Sequence, residues 1–334
     1  MKFFIADAFS KEHFGGNPAG VVIIPDGADF PKEETMISVA AELRYSETAF
    51  VKRVDKNTFR TRYFTPVAEV DLCGHATIAT FFCLRDISSI EAGETSCINL
   101  TRAGDIKISF KDDEVFMGMA SPKKIATIED KGELEKLYSI MGTEYGTVEI
   151  SCKGETKRII PEIISTGLPD IMLPLGSLKK LQSLKPDMDK LADISKAYNV
   201  TGVHAFALPL CEENENVGTT GLHVADIKNG INKKEFDSRT SMRTKKVHTR
   251  NFAPLYGIDE EAATGTASGA LAYYMQIHEM LDDADKIRMI QGETMNRPSE
   301  ITVEINGSKN SEQSDEKIMV GGGVSILAKG EINI

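Results

Sequence analysis

Two short stretches of this 334-residue sequence hold side chains that acid/base chemistry uses. Glu47 follows Ser46 and precedes an apolar run, while Cys73 and His75 flank Gly74. Carboxylates, imidazoles and thiols can all give and take protons in a transition state. These residue types therefore indicate proton transfer.

The segment after Cys73 carries no charge until Arg85. A helix that is apolar on every side must be buried, because none of its faces can meet water cheaply. Free amides in its first turn favour an anion, and the glycine at position 74 lets a ligand come close to the backbone. We expect a buried helix over residues 75–84 whose N-terminus faces an acidic group.

A second copy of this pattern lies near the C-terminus. RNFAP at residues 250–254 repeats RYFTP at residues 62–66, and a small-residue turn again precedes a charge-poor helix, expected over residues 267–277. Two matched sets of strand, turn and helix indicate two similar domains. The two helix N-termini then face one shared site, since clefts between domains often bind ligands.

Four motifs resemble, in order and spacing, those of the phenazine-biosynthesis isomerase family (PhzF-like proteins). They are GNPAG at residues 16–20, SETAF at 46–50, the segment 62–80 and TGT at 264–266. The resemblance implies an α+β fold related to diaminopimelate epimerase, with two similar domains, each a curled mixed β-sheet or barrel around a central buried helix. It also implies a biosynthetic enzyme with a cofactor-free acid/base site between the domains, and a homodimer is expected.

The resemblance assigns catalytic roles to three residues. Glu47 matches the proton-shuttling glutamate of the family, and His75 matches a histidine that contacts the substrate. Family members usually read DPATGS where this chain has EAATGT at residues 261–266, so the acid, Glu261, is one methylene longer and a rigid proline is lost. A misplacement of about one ångström can cost large rate factors. The substrate-binding residues implied by the resemblance are Asn17, Ser46, Gly74, Gly265 and Thr266.

The residues around Glu47 are compatible with two interpretations. Alternation in a strand over residues 46–51 places Glu47 on an apolar face, which suits general acid/base chemistry. A solvated glutamate at the edge of a sheet fits the same pattern. Extending the repeat, with the Ala-Phe pair at 205–206 aligned to that at 49–50, places Val203 opposite Glu47, so that only the first half carries the acid.

His75 and Cys73 each have an alternative role. The partial positive charge of a helix start favours a neutral imidazole at His75, although a buried structural histidine fits equally well. A metal site is not expected, because no second pair of ligands lies nearby in the sequence. Related two-base epimerases use a cysteine in each half, but the second position here is Thr264, so Cys73 is expected to be a small packing residue.

Composition excludes several other classes of function. The net charge of −11 argues against general nucleic-acid binding. No run of about 18 apolar residues predicts a membrane helix, and Asp7 interrupts the N-terminal apolar run too early for a secretory signal. The five cysteines include no CxxC pair, which is typical of reduced thiols in the cytoplasm. The glycine clusters at residues 265–269 and 321–323 match neither GxGxxG nor a P-loop, which argues against nucleotide binding.

The chain is predicted to divide near residue 120. The first domain is expected over residues 1–120, joined by the last strand at 324–334, and the second over residues 121–323. Residues 228–246 carry more Lys and Arg than Asp and Glu, without clear periodicity. They are either a solvated surface loop or a basic lid that attracts an acidic substrate.

These observations favour a cofactor-independent isomerase that moves a proton on a small carboxylate-bearing molecule, with Glu47 as the single acid/base group. Two alternatives stay open. One is a racemase or epimerase in which Cys73 works with Glu47. The other is a non-catalytic binder of small carboxylates that has kept the cleft. The residues do not identify the substrate.

Overall fold

The computed structural model describes residues 1–152, 155–207, 244–281, 286–306 and 317–334. Most of the basic segment predicted at 228–246 therefore lies outside the described residues. None of the helices in the described ranges has the length and apolar character that crossing a bilayer requires.

The first half of the chain contains nine strands and two helices in the described residues. The strands are β1 Lys2–Ala8, β2 Asn17–Ile23, β3 Thr48–Arg53, β4 Thr58–Phe64, β5 Glu69–Val70, β6 Ser96–Thr101, β7 Gly104–Lys111, β8 Glu114–Gly118 and β9 Lys123–Thr127. The helices are α1 Glu33–Leu43 and α2 Gly74–Asp86.

The second half adds eleven strands and four helices among the described residues. The strands are β10 Val148–Cys152, β11 Glu155–Ile159, β12 Glu162–Ser165, β13 Pro169–Leu175, β14 Gly202–Ala207, β15 Thr244–Ala253, β16 Ile258–Glu261, β17 Lys286–Gln291, β18 Ser299–Asn306, β19 Lys317–Gly322 and β20 Val324–Glu331. The helices are α3 Lys131–Ile140, α4 Leu178–Gln182, α5 Met188–Tyr198 and α6 Gly265–Ile277, and short 3₁₀ turns lie at Pro254–Tyr256 and Glu293–Met295.

The two halves share one strand topology. In the first, β2 pairs in parallel with β3 across α1, and β4 pairs antiparallel with β5 and parallel with β6. In the second, β13 pairs in parallel with β14 across α4 and α5, and β15 pairs antiparallel with β16 and parallel with β17. The repeat predicted from two short motifs therefore extends over whole sets of strands.

Helices α2 and α6 are the most buried helices of the described chain, as predicted. Both are buried on almost every face, whereas α1, α3 and α5 each bury one stripe. α2 packs against β1, β2, β3 and β8, and α6 packs against β12, β13, β18 and β19. Each helix begins at its glycine, slightly earlier than the apolar pattern predicts. The fold class is thus α+β, with a curled mixed sheet around each central helix.

The sheets of the two halves are continuous with each other. β8 pairs with β19, β9 pairs with β12, and the last strand β20 pairs antiparallel with β1. Gly321 lies at the β8–β19 junction, where an added Cβ would come within 2.3 Å of the Val115 carbonyl oxygen. Gly321 therefore serves close strand packing. The boundary near residue 120 stays a prediction.

Candidate active site

Glu47 and His75 come from different elements and meet at one end of the first sheet. Oε2 of Glu47 lies 3.5 Å from Nε2 of His75, which stands in the first turn of α2. The alternation pattern predicts Glu47 within a strand over residues 46–51. In the structure it lies just before β3, which begins at Thr48. Its backbone carbonyl accepts a 3.4 Å hydrogen bond from the Gly20 amide, so the pairing of β2 with β3 holds it in place.

The His75 ring is buried and held from both sides. Nδ2 of Asn17 lies 3.3 Å from Nδ1, and Oγ of Ser46 lies 3.4 Å from Nε2. Burial lowers the pKa of His75, and the charge of Glu47 offsets this only in part. A neutral ring that accepts from Asn17 at Nδ1 donates its Nε2–H towards Ser46, which satisfies both contacts. The structure thus brings four residues predicted for the site into contact.

The carboxylate of Glu47 is enclosed but incompletely bonded. Its side chain is 16% exposed, and within the described residues its Oε2 makes no hydrogen bond. Buried polar atoms in folded proteins nearly always have a hydrogen-bond partner, and an exception calls for an explanation. A ligand proton or hydroxyl in the cleft would supply the missing bond.

Cys73 packs against the same imidazole. Its Sγ lies 3.4 Å from Nδ1 of His75, and the residue is 7% exposed. Burial, followed by the negative charge of Glu47, raises the pKa of the Cys73 thiol well above its usual value. A reactive thiolate needs an electropositive, partly exposed setting, so this cysteine stays a neutral thiol near pH 7.

The second half contributes a carboxyl at the end of β16. Oγ1 of Thr264 donates to Oε2 of Glu261 at 3.0 Å. Burial and then the charge of Glu47 raise the pKa of Glu261 to about 7. Since the charge of Glu47 acts on Glu261, the two carboxyls lie near each other, one from each half.

Gln291 bonds to the turn that carries Glu261. No sequence motif points to this residue. Its buried Nε2 donates to the Glu261 carbonyl at 2.8 Å and to Oγ1 of Thr264 at 3.0 Å, and its Oε1 accepts from the Thr264 amide. These bonds fix the turn that carries both side chains. A lone glutamine at the end of a strand carries no sequence signal for this role.

Asn17 joins the two halves at the site. Besides its contact with His75, its Nδ2 donates to the Ala263 carbonyl at 3.1 Å. Thr266 lies in the first turn of α6, where its backbone carbonyl accepts from Oγ1 of Thr166 at 2.8 Å. The eight predicted site residues therefore lie in the first turns of the two central helices or on the strands and turns beside them.

The first turns of α2 and α6 are not closed by a side-chain cap. The N-cap residues, Cys73 and Thr264, make no capping bond with their side chains, and neither first turn contains an acidic residue. A Cβ added at Gly74 would meet only Sδ of Met117, at an ordinary 3.7 Å. Packing does not require glycine there, so its small size serves close approach to the helix N-terminus.

Three metal-binding side chains also converge here. Donor atoms of Glu47, Cys73 and His75 lie within 4.8 Å of one another. A structural zinc site needs four such ligands and a catalytic one needs three with a bound water, and each thiol ligand must lose its proton. The protonated Cys73 thiol makes this a poor resting site for zinc, and catalysis without a metal stays a prediction.

Two matched ion pairs align the halves residue by residue. Arg62 forms a two-pronged pair with Glu69, and Arg250 forms the same pair with Glu260. In both halves, the N-cap of the central helix follows four residues after the glutamate.

This alignment corrects the expected position opposite Glu47. Ala49 pairs with the residue after Arg62, and His204 pairs with the residue after Arg250. His204 is therefore the counterpart of Ala49, and Gly202, not Val203, is the counterpart of Glu47. A Cβ on Gly202 would lie 1.9 Å from the carbonyl oxygen of Phe252, so no side chain fits at this position.

Comparison with known proteins agrees with the fold. The family model described as phenazine biosynthesis-like protein matches residues 6–330. An uncharacterized isomerase of Clostridium acetobutylicum is 29% identical over 98% of this chain and 96% of its own length. A PhzF-family protein of Bacillus anthracis has a similar crystal structure, with a TM-score of 0.74 and 25% identity over 100% of this chain and 99% of that chain.

The fold is also shared with a hydroxyproline epimerase of Agrobacterium vitis, at a TM-score of 0.53 and 11% identity over 99% of this chain and 91% of that one. The chain therefore belongs to the phenazine biosynthesis-like protein family. It is an enzyme of the isomerase class with an epimerase-like fold.

Proposed function

We propose that this protein is a cofactor-independent isomerase that moves a proton on a small carboxylate-bearing molecule, with Glu47 as the acid/base group. The observation that carries the proposal is Oε2 of Glu47, which is buried beside His75 and makes no hydrogen bond within the described residues. A base must reach the proton that it removes, and this oxygen is the one left free to do so.

The carboxylate of the substrate would bind at the first-turn amides of α2 and α6. Both helix starts lack a capping side chain and begin with a glycine, of which Gly74 is partly exposed and Gly265 is buried. An anion at a helix N-terminus meets oriented N–H groups and the positive end of the helix dipole. The same donors stabilise negative charge that develops during proton removal.

The asymmetry between the halves favours one base that takes and returns the proton. The position opposite Glu47 is Gly202, which has no room for a side chain, and the thiol at Cys73 is held protonated. One carboxyl on one side of the substrate shifts a proton along that face. Inversion of a stereocentre would require a partner of matched pKa on the other face, and Glu261 is the candidate that the second half supplies.

Glu261 would act as a neutral acid within this scheme. With its pKa raised to about 7, a large share of Glu261 carries a proton near neutral pH. A protonated carboxyl can donate a hydrogen bond to the anionic intermediate that Glu47 creates. Two carboxyls with different environments can thus take the roles of base and acid in one site.

An epimerase that uses Cys73 with Glu47 is the second candidate, favoured by the close packing of this thiol against His75. A thermal-shift screen of cyclic and amino-acid carboxylates would identify ligands, and each ligand would then be incubated in D₂O and followed by NMR. Deuterium at a new carbon supports the isomerase, and deuterium at the original stereocentre with inversion supports the epimerase. Binding without exchange would show a non-catalytic carboxylate binder.

A further inference from the structure

Asp7 is a buried carboxylate that the proposed reaction does not use. It is the last residue but one of β1, and its side chain is 1% exposed. Its Oδ1 accepts a hydrogen bond at 2.7 Å from Nη2 of Arg297, which belongs to the second half of the chain, and its Oδ2 accepts one at 3.1 Å from the Phe14 amide. A buried charge needs such partners, so this ion pair ties the two halves to one arrangement.

The same guanidinium also binds the loop between β1 and β2. Its Nη2 donates to the Gly15 carbonyl at 2.8 Å, and its Nε donates to the Gly16 carbonyl at 2.9 Å. The donors of a guanidinium form a rigid planar fork, whereas the ammonium of a lysine is a single point charge. Arg297 therefore fixes the loop by the geometry of its bonds as well as by its charge.

Gly16 has little freedom within this loop. Its φ is 63°, a left-handed value that favours glycine, and a Cβ on it would lie 2.2 Å from the Ala8 carbonyl oxygen. Its amide donates to the Pro298 carbonyl at 3.0 Å. Gly16 is thus bonded through its carbonyl to Arg297 and through its amide to the next residue of the second half.

Asn17 follows this glycine directly and is the first residue of β2. Its Nδ2 lies 3.3 Å from Nδ1 of His75 and donates to the Ala263 carbonyl at 3.1 Å. The hydrogen bond made by one ring nitrogen of a histidine determines the tautomer and orientation of the ring. The position of the Asn17 amide therefore depends on the loop, and the state of the His75 ring depends on that amide.

The segment that contains Arg297 also holds the turn after Glu261. Oγ of Ser299 is buried and donates to the Ala262 carbonyl at 2.7 Å. Residues 297–299 therefore bond to the loop of the first half and to the turn of the second half. One short segment sets the spacing between the two groups of site residues.

We propose that Arg297 is a positioning residue that acts through Asn17. Its bonds to Asp7 and to the β1–β2 loop hold the Asn17 amide against His75, which keeps the ring in one tautomer and one orientation beside Glu47. This inference rests on the proposed function only for its effect on the rate of reaction, because the effect on the ring requires no turnover.

The test is the ¹⁵N spectrum of the His75 ring in the free, full-length protein. Histidine is labelled at both ring nitrogens, and the His75 signals are assigned by their loss in His75→Gln. A neutral ring in one tautomer gives two well-separated signals, from one protonated and one unprotonated nitrogen. Arg297→Lys keeps a positive charge beside Asp7 but loses the fork. We expect the two His75 signals to move towards each other in this variant, as the ring exchanges between tautomers.

The matched control is Arg288→Lys. The side chains of Arg288 and Arg297 are equally exposed, at 29%, and Arg288 forms its ion pair with Glu300 within the β17–β18 strand pair. This control should leave the His75 signals unchanged. Unmoved signals in Arg297→Lys, even with a lowered Tm, overturn the proposal, and so does an equal movement in both variants. If Arg297→Lys does not fold, Asp7→Asn weakens the same ion pair without a change of size, and the same outcomes apply.

The route through Asn17 has its own test. Asn17→Ala removes the amide that contacts His75 and should also bring the two ring signals together. If Arg297 acts through Asn17, the double variant should show no further movement beyond that of Asn17→Ala alone, because two changes in one chain of contacts are not additive. An added movement in the double variant would overturn this route.

Activity separates this inference from the proposed function. With a ligand in hand, Arg297→Lys should slow proton exchange about 10²-fold, the cost of a misplacement of about an ångström. A protein that exchanges no ligand proton but shows the change at His75 loses the proposed function and keeps the role of Arg297. A protein that isomerises a carboxylate while Arg297→Lys leaves the His75 signals unmoved keeps the function and loses that role.

Discussion

Oε2 of Glu47 and Nε2 of His75 lie 3.5 Å apart, although one residue precedes a strand and the other opens a buried helix. The imidazole is held by Asn17 and Ser46, so its position does not depend on the carboxylate. Because the imidazole is uncharged and fixed in orientation, it limits the positions of the Glu47 side chain but does not neutralise the charge of the carboxylate. The pair therefore leaves Oε2 of Glu47 buried beside a neutral ring and without a hydrogen bond among the described residues, and this oxygen is the candidate base.

Gly74 begins α2, and Gly202 begins β14 at the position that corresponds to Glu47. Substitution by alanine should lower stability at Gly202 and ligand affinity at Gly74. Gly202→Ala forces a Cβ to within 1.9 Å of the Phe252 carbonyl, so we expect a loss of stability above about 3 kcal/mol or failure to fold. Gly74→Ala meets only ordinary contacts and should fold with an unchanged Tm. It should nevertheless weaken binding of a carboxylate ligand more than about tenfold, or 1.4 kcal/mol. Thermal melts and ligand titrations of both variants measure this difference, and a stable Gly202→Ala protein would contradict it.

The Cys73 thiol should react slowly with alkylating reagents although it lies beside His75. Its raised pKa and burial leave little thiolate at neutral pH, so iodoacetamide should modify it much more slowly than a free cysteine. Cys73→Ala should retain activity within about tenfold, with a modest loss of stability from the small cavity. The measurement is mass spectrometry of the alkylated peptide beside the rate of proton exchange. Rapid labelling that abolishes exchange would favour the epimerase instead.

The elements and the main site residues were largely predictable because their signals are local. The uninterrupted apolar run after His75 and its echo after Gly265 can only be buried helices, and both are. Glu47 and His75 were assigned through the resemblance of their short motifs to a known family, since the residues around each also fit a structural role. The structure adds that they touch, which depends on how β2 pairs with β3.

The other features of the fold and site depend on strand pairing and on burial. Neither can be read from the residue type at one position. The repeated Ala-Phe pair predicts Val203 as the counterpart of Glu47. The observed register of β14 with β15 makes Gly202 the counterpart instead. A shift of one residue matters because it moves every side chain to the other face of the strand. Asp170 and Gln291 look like ordinary polar residues at strand ends. They become significant only when the sheet curls around α6 and removes them from water.

Stability should depend on pH through Asp170. Its pKa is about 7 in the folded protein against an ordinary 3.8, so between these values the folded state binds more protons than the unfolded state. Stability from this group is therefore greatest in acid and is lost as the pH rises towards 7. Asp170→Asn lacks this loss, so its Tm relative to that of the unchanged protein should rise between pH 4 and pH 8. Melting curves at four or five pH values test this, and a constant difference would contradict it.

Glu261 should set the alkaline limit of activity. Its protonated form is populated below about pH 7, so the rate of proton exchange should fall as the pH rises through that value. Glu261→Gln presents an amide donor at every pH and should give a slower rate without this limb. Asp259→Asn is the matched control, because it removes an exposed carboxyl from the same strand and should keep the limb. An unaltered limb in Glu261→Gln would assign it to another group.

Glu47→Gln should separate chemistry from binding. The amide keeps the shape of the side chain and its contact with His75, but it cannot accept a proton from carbon. Loss of a positioned acid/base group costs about 10²–10⁴ in rate, so exchange of ligand protons with D₂O should fall by at least that factor. Affinity for the carboxylate should stay within about tenfold, because the amides of α2 and α6 that would bind it are unchanged. NMR measures both quantities on one sample, with Cys73→Ala as the control that keeps exchange. If Glu47→Gln keeps turning over while Cys73→Ala does not, the single-carboxylate mechanism is wrong and the thiol is the base.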